Sequence, residues 1–97
     1  MTYKLEYIST FHMDVLQVIE NLEEHPQKAK RIFSRIDKIL SSLVTMPEMY
    51  PIYEDFSVFR KITIEDYLVF YIIDKQNGII EVHRLLYGKM DIPLLLK

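Results

Sequence analysis

Four residues, Lys75-Gln76-Asn77-Gly78, limit the possible folds more than any other stretch of this chain. They separate two apolar runs, residues 67–73 and 79–86. Asn-Gly supplies the positive φ angles that a tight turn between antiparallel strands requires. Two strand-like runs joined by such a turn pair with each other as a hairpin. The first run, Tyr-Leu-Val-Phe-Tyr-Ile-Ile, is apolar on both faces, which suits a central strand. Upstream, residues 58–64 alternate, with Arg60 on the side of Val58, Ile62 and Ile64, and Glu65-Asp66 can turn the chain. The three runs are expected to form an antiparallel meander.

The first half has a different period. Residues 3–8 alternate as a half-buried strand, with Tyr3, Leu5 and Tyr7 on one side. Phe11, Val15, Val18, Ile19 and Leu22 then recur at helical spacing, which predicts a helix over 10–24 with Ser9 or Thr10 as its cap. His25-Pro26 interrupts it, and Pro26 suits the first turn of a second helix because its missing N–H costs nothing there. The stripe Ala29, Ile32, Phe33, Ile36, Ile39, Leu40, Leu43 carries that helix to residue 43, before Met46-Pro47. The short connection makes the two helices an antiparallel hairpin. Residues 46–55 read as a loop, Gly88 ends the last strand, and Asp91 can cap a terminal turn with Pro93 near its start. The expected fold is α+β, in the order β-α-α-β-β-β. The helical hairpin covers one face of an antiparallel sheet, and the other face is open or covered by a partner. At 97 residues the whole chain, 1–97, fits one domain.

Charge excludes more than it suggests. The net charge is −2, and each half carries six basic and seven acidic residues. A protein that grips phosphates by bulk charge shows a basic excess or stripe, so a nucleic-acid role here would rest on a few local cations. No run approaches a membrane span, and the first residues do not read as a signal peptide. With no Cys there is neither a disulfide framework nor a thiolate metal site, which suits a reducing, cytoplasmic setting.

Familiar sites are missing too. Two glycines cannot build a phosphate-cradling loop, and His12, His25 and His83 lack metal-ligand spacing, so neither a cofactor nor a metal is expected. The adjacent acids Glu23-Glu24, Glu54-Asp55 and Glu65-Asp66 read as solvated turns and helix ends. The candidate chemistry lies on the meander: Arg60 and Lys61 on its first strand, His83 and Arg84 on its third, and Tyr87 and Lys89 around Gly88. These could hold a phosphodiester, with His83 moving a proton near neutral pH. The competing reading packs the arginine stems and pairs their heads with Glu54, Asp55 or Asp91. His83 then has a packing role, and Tyr67 and Tyr71 belong to the core.

The order of elements and three segments resemble the RelE/ParE superfamily of toxins from bacterial type II toxin–antitoxin systems. The segments are Phe59-Arg60-Lys61-Ile62-Thr63-Ile64, the Tyr-x-Val-x-Tyr strand Tyr67-Leu68-Val69-Phe70-Tyr71, and Arg84-Leu85-Leu86-Tyr87-Gly88-Lys89-Met90-Asp91. Leu43 to Pro47 fits the end of the second family helix. The resemblance spans essentially the whole chain and implies one of two activities. RelE-like members cut messenger RNA on the ribosome with basic residues on the sheet; ParE-like members inhibit DNA gyrase and lack that set. Carried over, the ribonuclease pattern falls near Arg60 and Lys61. It fails at Leu68 and Met90, where the ribonucleases often have arginine, and the tail after Asp91 has no Tyr or His to act as acid. Removing one preorganised cation from a charge-stabilising site typically costs about 2.7–4 kcal/mol. The resemblance therefore implies a gyrase-directed, non-nucleolytic toxin. The alternatives are an mRNA endoribonuclease using Arg60, Lys61, His83, Arg84, Tyr87 and Lys89, and a non-toxic binding module.

The family's antitoxins wrap their toxins. Leu68, Phe70 and Ile72 are expected on the face away from the helices, where an apolar patch needs cover. A cognate antitoxin on Leu68, Phe70, Ile72, Leu94 and Leu95, or a second copy of the chain in a homodimer, would supply it. The internal alternative is that Tyr87 and Leu94-Leu95-Leu96 fold back over this face.

Overall fold

The computed structural model describes residues 2–96; Met1 and Lys97 lie outside the described residues. Along the chain run β1 (Lys4–Tyr7), α1 (Ser9–Asn21), α2 (Pro26–Leu43), β2 (Arg60–Ile64), β3 (Tyr67–Asp74), β4 (Ile79–Tyr87) and α3 (Ile92–Leu95). β2, β3 and β4 form the antiparallel meander. Asp74 faces Ile79 across the tight turn, where Gly78 has φ +66° and the Asp74 carboxylate accepts from the Asn77 backbone and side-chain N–H groups. β1 inserts beside β4 and parallel to it, giving the order β1-β4-β3-β2 and a mixed sheet rather than a wholly antiparallel one.

β1 stops at Tyr7, opposite Val82, so among the described residues the second half of β4 has no strand on that side. α1 takes over the exposed edge. The Thr10 hydroxyl donates to the His83 carbonyl at 2.8 Å, and Asp14 accepts the Leu85 N–H at 3.0 Å. Thr10 is thus an edge-satisfying residue and not the helix cap; Ile8 occupies the cap position, without a side-chain bond. α1 ends at Asn21, three residues earlier than its periodicity suggests, because His25 and Pro26 already open α2.

Both helices lie on one face of the sheet. Phe11, Val18 and Leu22 of the α1 segment and Ile32, Ile36, Leu40 and Leu43 of α2 pack against Ile62, Ile64, Tyr67, Val69, Tyr71, Ile80, Val82 and Leu85. Tyr71 is fully buried, and its hydroxyl donates to the Pro47 carbonyl at 2.7 Å. Burial pushes its phenol up to about 12.

The opposite face is covered in large part by the chain itself. The loop between α2 and β2 folds along the outer edge of β2: the Lys61 N–H donates to Pro51, and the Tyr53 N–H donates to Phe59. This shields an edge strand that would otherwise present free backbone groups. Phe59 then buries against Phe70 and Leu86, and Ile92 and Leu96 of the C-terminal turn complete a second small core. The tail does fold back, as the internal alternative expects. Tyr87 does not join it; its ring stacks edge-on against Tyr67 on the helix face at 5.7 Å.

Two turns show why particular residues stand where they do. Glu65-Asp66 joins β2 to β3, with Glu65 at φ +53°, a conformation that costs a side-chain-bearing residue. Arg31 of α2 holds the Glu65 carboxylate with two 2.8 Å bonds and keeps it below the usual carboxylate range. Gly88 donates its N–H to Asp66 at 2.8 Å, and a Cβ there would stand only 3.2 Å from that carbonyl oxygen.

Candidate functional site

The strand register decides which candidate residues meet. Phe70 faces Arg84, but the next residue, Tyr71, faces Val82, so His83 is an extra residue on β4. Such a bulge resets the alternation of side chains. Ile80 and Val82 point to the helix face before it, and Leu85 and Tyr87 do so after it. His83 and Arg84, neighbours that a regular strand would put on opposite faces, both lie on the second face. The His83 ring stands edge-on to Phe59 at 5.4 Å, and Arg84 lies across from buried Phe70.

Lys61 joins them. It pairs with Phe70 from the other side, so Lys61, Phe70 and Arg84 form a row across three strands. Two strand spacings separate the cations, roughly 10 Å at the backbone. Phe70 fills the middle and is sealed by Tyr53 and Phe59.

Lys61, His83 and Arg84 each already have an intramolecular partner. Lys61 Nζ sits 5.6 Å over the Tyr53 ring. Nε2 of His83 is 3.1 Å from Oε1 of Glu81. Arg84 is the most tightly held: Nε and Nη2 donate to the two oxygens of Asp14 at 2.7 and 3.1 Å, and Nη1 donates to the Leu95 carbonyl at 2.7 Å. That guanidinium ties α1, β4 and the C-terminal turn together. The expected partners Glu54, Asp55 and Asp91 are not the ones it uses. Asp91 instead accepts from the Leu94 N–H as the cap of α3.

The other candidates are elsewhere. Arg60 points to the helix face and donates to the Tyr50 carbonyl at 2.7 Å, so it anchors the loop. Tyr87 is on that face too, and Lys89 is exposed beyond the end of β4. Of the apolar set, Phe70 is fully buried, Leu68, Ile72 and Leu95 are half-buried, and Leu94 is 62% exposed. Nothing in the local sequence pointed to Asp14, which lies seventy residues from the arginine it binds. Tyr53 belongs to a loop without periodicity, and Phe59, read as part of an alternating run, lies just before β2. Burial, and then the Asp55 carboxylate, raise the Tyr53 phenol, so it stays neutral over the physiological range.

The family model described as the ParE toxin of the type II toxin–antitoxin system, parDE, matches residues 7–92. The chain belongs to this toxin family. The ParE-type match takes in the bulge, the Lys61–Phe70–Arg84 row and the Asp14 anchor, and stops within the C-terminal turn. Among solved structures, the fold is similar to a chain of the toxin–antitoxin complex RelBE2 from Mycobacterium tuberculosis. The TM-score is 0.65 at 13% identity, with 90% of this chain and 99% of that one covered. At that identity the likeness shows the RelE-type fold alone. No curated protein sequence matches. Among the described residues, no helix is long and apolar enough to cross a membrane.

Proposed function

We propose that this type II toxin arrests growth by binding a protein target, DNA gyrase, and does not cut messenger RNA. The observation that carries this reading is the state of Arg84. A ribonuclease needs cations or other donors free to meet charge developing on the phosphate, and in this family's nucleases basic residues on the sheet supply them. Here three of its nitrogens are bonded inside the chain, two of them to a carboxylate that already neutralises it. Arg60 is turned to the other face, and Leu68 and Met90 stand where the ribonucleases often carry arginine.

A cognate antitoxin would neutralise the toxin. Its proposed contact is exposed Leu94 with the accessible margins of Leu68, Ile72 and Leu95; Phe70 becomes reachable only if the tail or the loop moves. Both partners place the protein in the bacterial cytoplasm. One observation favours the second reading, a ribosome-dependent endoribonuclease: the bulge brings His83 onto the face that carries Lys61.

Single substitutions separate the readings. Lys61→Ala, His83→Ala and Lys89→Ala are expected to keep growth arrest on induced expression, whereas Leu94→Asp in the exposed tail abolishes it. Loss of arrest with His83→Ala and retention with Leu94→Asp would overturn the proposal in favour of the nuclease.

A further inference from the structure

α1 turns a row of large apolar side chains outward. Met13, Leu16 and Ile19 are 69%, 67% and 51% exposed and recur every three residues. The remaining exposed large apolar side chains are scattered over β1, the loop before β2 and the C-terminal segment. Scattered ones are ordinary, but a row on one regular element marks an interaction surface.

The row has a centre. Met13 and Ile19 stand three residues either side of Leu16, and His12 and Glu20 stand four. Consider a two-fold axis through Leu16, with α1 antiparallel to its copy. Leu16 then meets itself, Met13 lies level with the second copy's Ile19, and His12 lies level with the second copy's Glu20. Charge favours this direction. α1 has two acids and no Lys or Arg, and Asp14 is turned inward to Arg84, which leaves Glu20 as the outward carboxylate. A parallel pair would set Glu20 beside Glu20, whereas the antiparallel pair sets it beside an imidazole.

The groove between the helices fits the same arrangement. It encloses about 240 Å³ and is lined by Val15, Phe33, Ile36 and Leu40, with His12 and Asp37 at its rim. At 100° per residue, Ile19 lies on the same side of Leu16 as His12 and Val15, the side towards α2. The axis therefore carries the second copy's Ile19 to the mouth of the groove.

We propose that α1 is the seam of an antiparallel, two-fold homodimer centred on Leu16. A seam built on one 13-residue helix is small, so the dimer is weak, on the order of tens of micromolar. The seam is separate from the second face of the sheet.

The chain has no cysteine, so an introduced thiol reports cleanly. In Leu16→Cys the two thiols meet on the axis, and mild oxidation yields a disulfide dimer. In Met13→Cys they are offset by six helical positions, roughly 9 Å along the helix, too far to bridge. Leu16→Cys is expected to cross-link under conditions in which Met13→Cys does not, at equal concentration. Leu16→Glu should be monomeric by sedimentation where the wild type self-associates, with an unchanged circular dichroism spectrum, and His12→Lys should self-associate more tightly. A wild type that stays monomeric up to about 1 mM would overturn the proposal. So would equal cross-linking at the two positions, or an apolar row that takes up a different protein while the chain alone remains monomeric.

Discussion

Among the described residues, the face of the sheet beneath α1 and α2 buries fifteen apolar side chains, and the face beneath the loop and α3 buries five. The first core is built by two regular helices whose apolar stripes match the strands they cover. The second is built by an irregular loop, a four-residue helical turn and one guanidinium that fastens the turn to α1. Global stability therefore belongs to the first face, and local opening belongs to the second. The basic residues divide the same way. Arg60 on the helix face anchors the loop, while Lys61, His83 and Arg84 share the thinly covered face.

The widest difference should come from truncating one side chain on each face. Leu43→Ala, at a site with no exposure, is expected to cost about 4 kcal/mol, because the surrounding helices and strands cannot close the cavity. Leu96→Ala, at a chain end that can settle, should cost about 2 kcal/mol, with faster amide exchange confined to β3 and β4. Urea denaturation with hydrogen exchange checks both, and equal global losses would break the distinction between the faces.

Asp14→Ala tests the link between the faces. It removes both carboxylate bonds to Arg84 and leaves the Leu85 N–H without its acceptor. Stranding a largely buried arginine in this way should cost about 3 kcal/mol. The C-terminal turn should loosen with it, since Arg84 also holds the Leu95 carbonyl.

A smaller effect is confined to alkaline pH. Burial raises the Tyr71 phenol to about 12 in the fold, above its value in the unfolded chain. The neutral phenol is the form the fold favours, so this contribution is complete below about pH 10 and is lost as pH rises towards 12. A two-unit shift amounts to roughly 2–3 kcal/mol. The melting temperature of the wild type should fall across that window, and Tyr71→Phe should lack that part of the fall.

The helix-covered face was largely legible in the sequence because its signals are periodic. The stripe from Ala29 to Leu43, with Pro26 before it, marked the extent of α2 closely, and Asn77-Gly78 marked the β3–β4 turn, although only Gly78 there takes a positive φ. The second face was not, because what builds it has no period. A bulge at His83 leaves no mark in composition, since it exists only in the register between β4 and β3. The pairing of Arg84 with Asp14 joins residues seventy positions apart and follows from where α1 crosses the edge of β4. For the same reason, Glu54, Asp55 and Asp91 looked like the partners of the arginines when they are not. The parallel entry of β1 beside β4 likewise depends on the sheet already being formed.

We propose that this toxin, with Arg84 neutralised internally, acts on a protein and not on RNA. The most direct test is induced expression in a bacterial host without antitoxin, following growth, messenger RNA integrity and chromosome integrity together. Growth arrest with intact messages and a DNA-damage response is expected. Arrest with codon-dependent cuts in translated messages would contradict it and place the active site on the Lys61–His83 face.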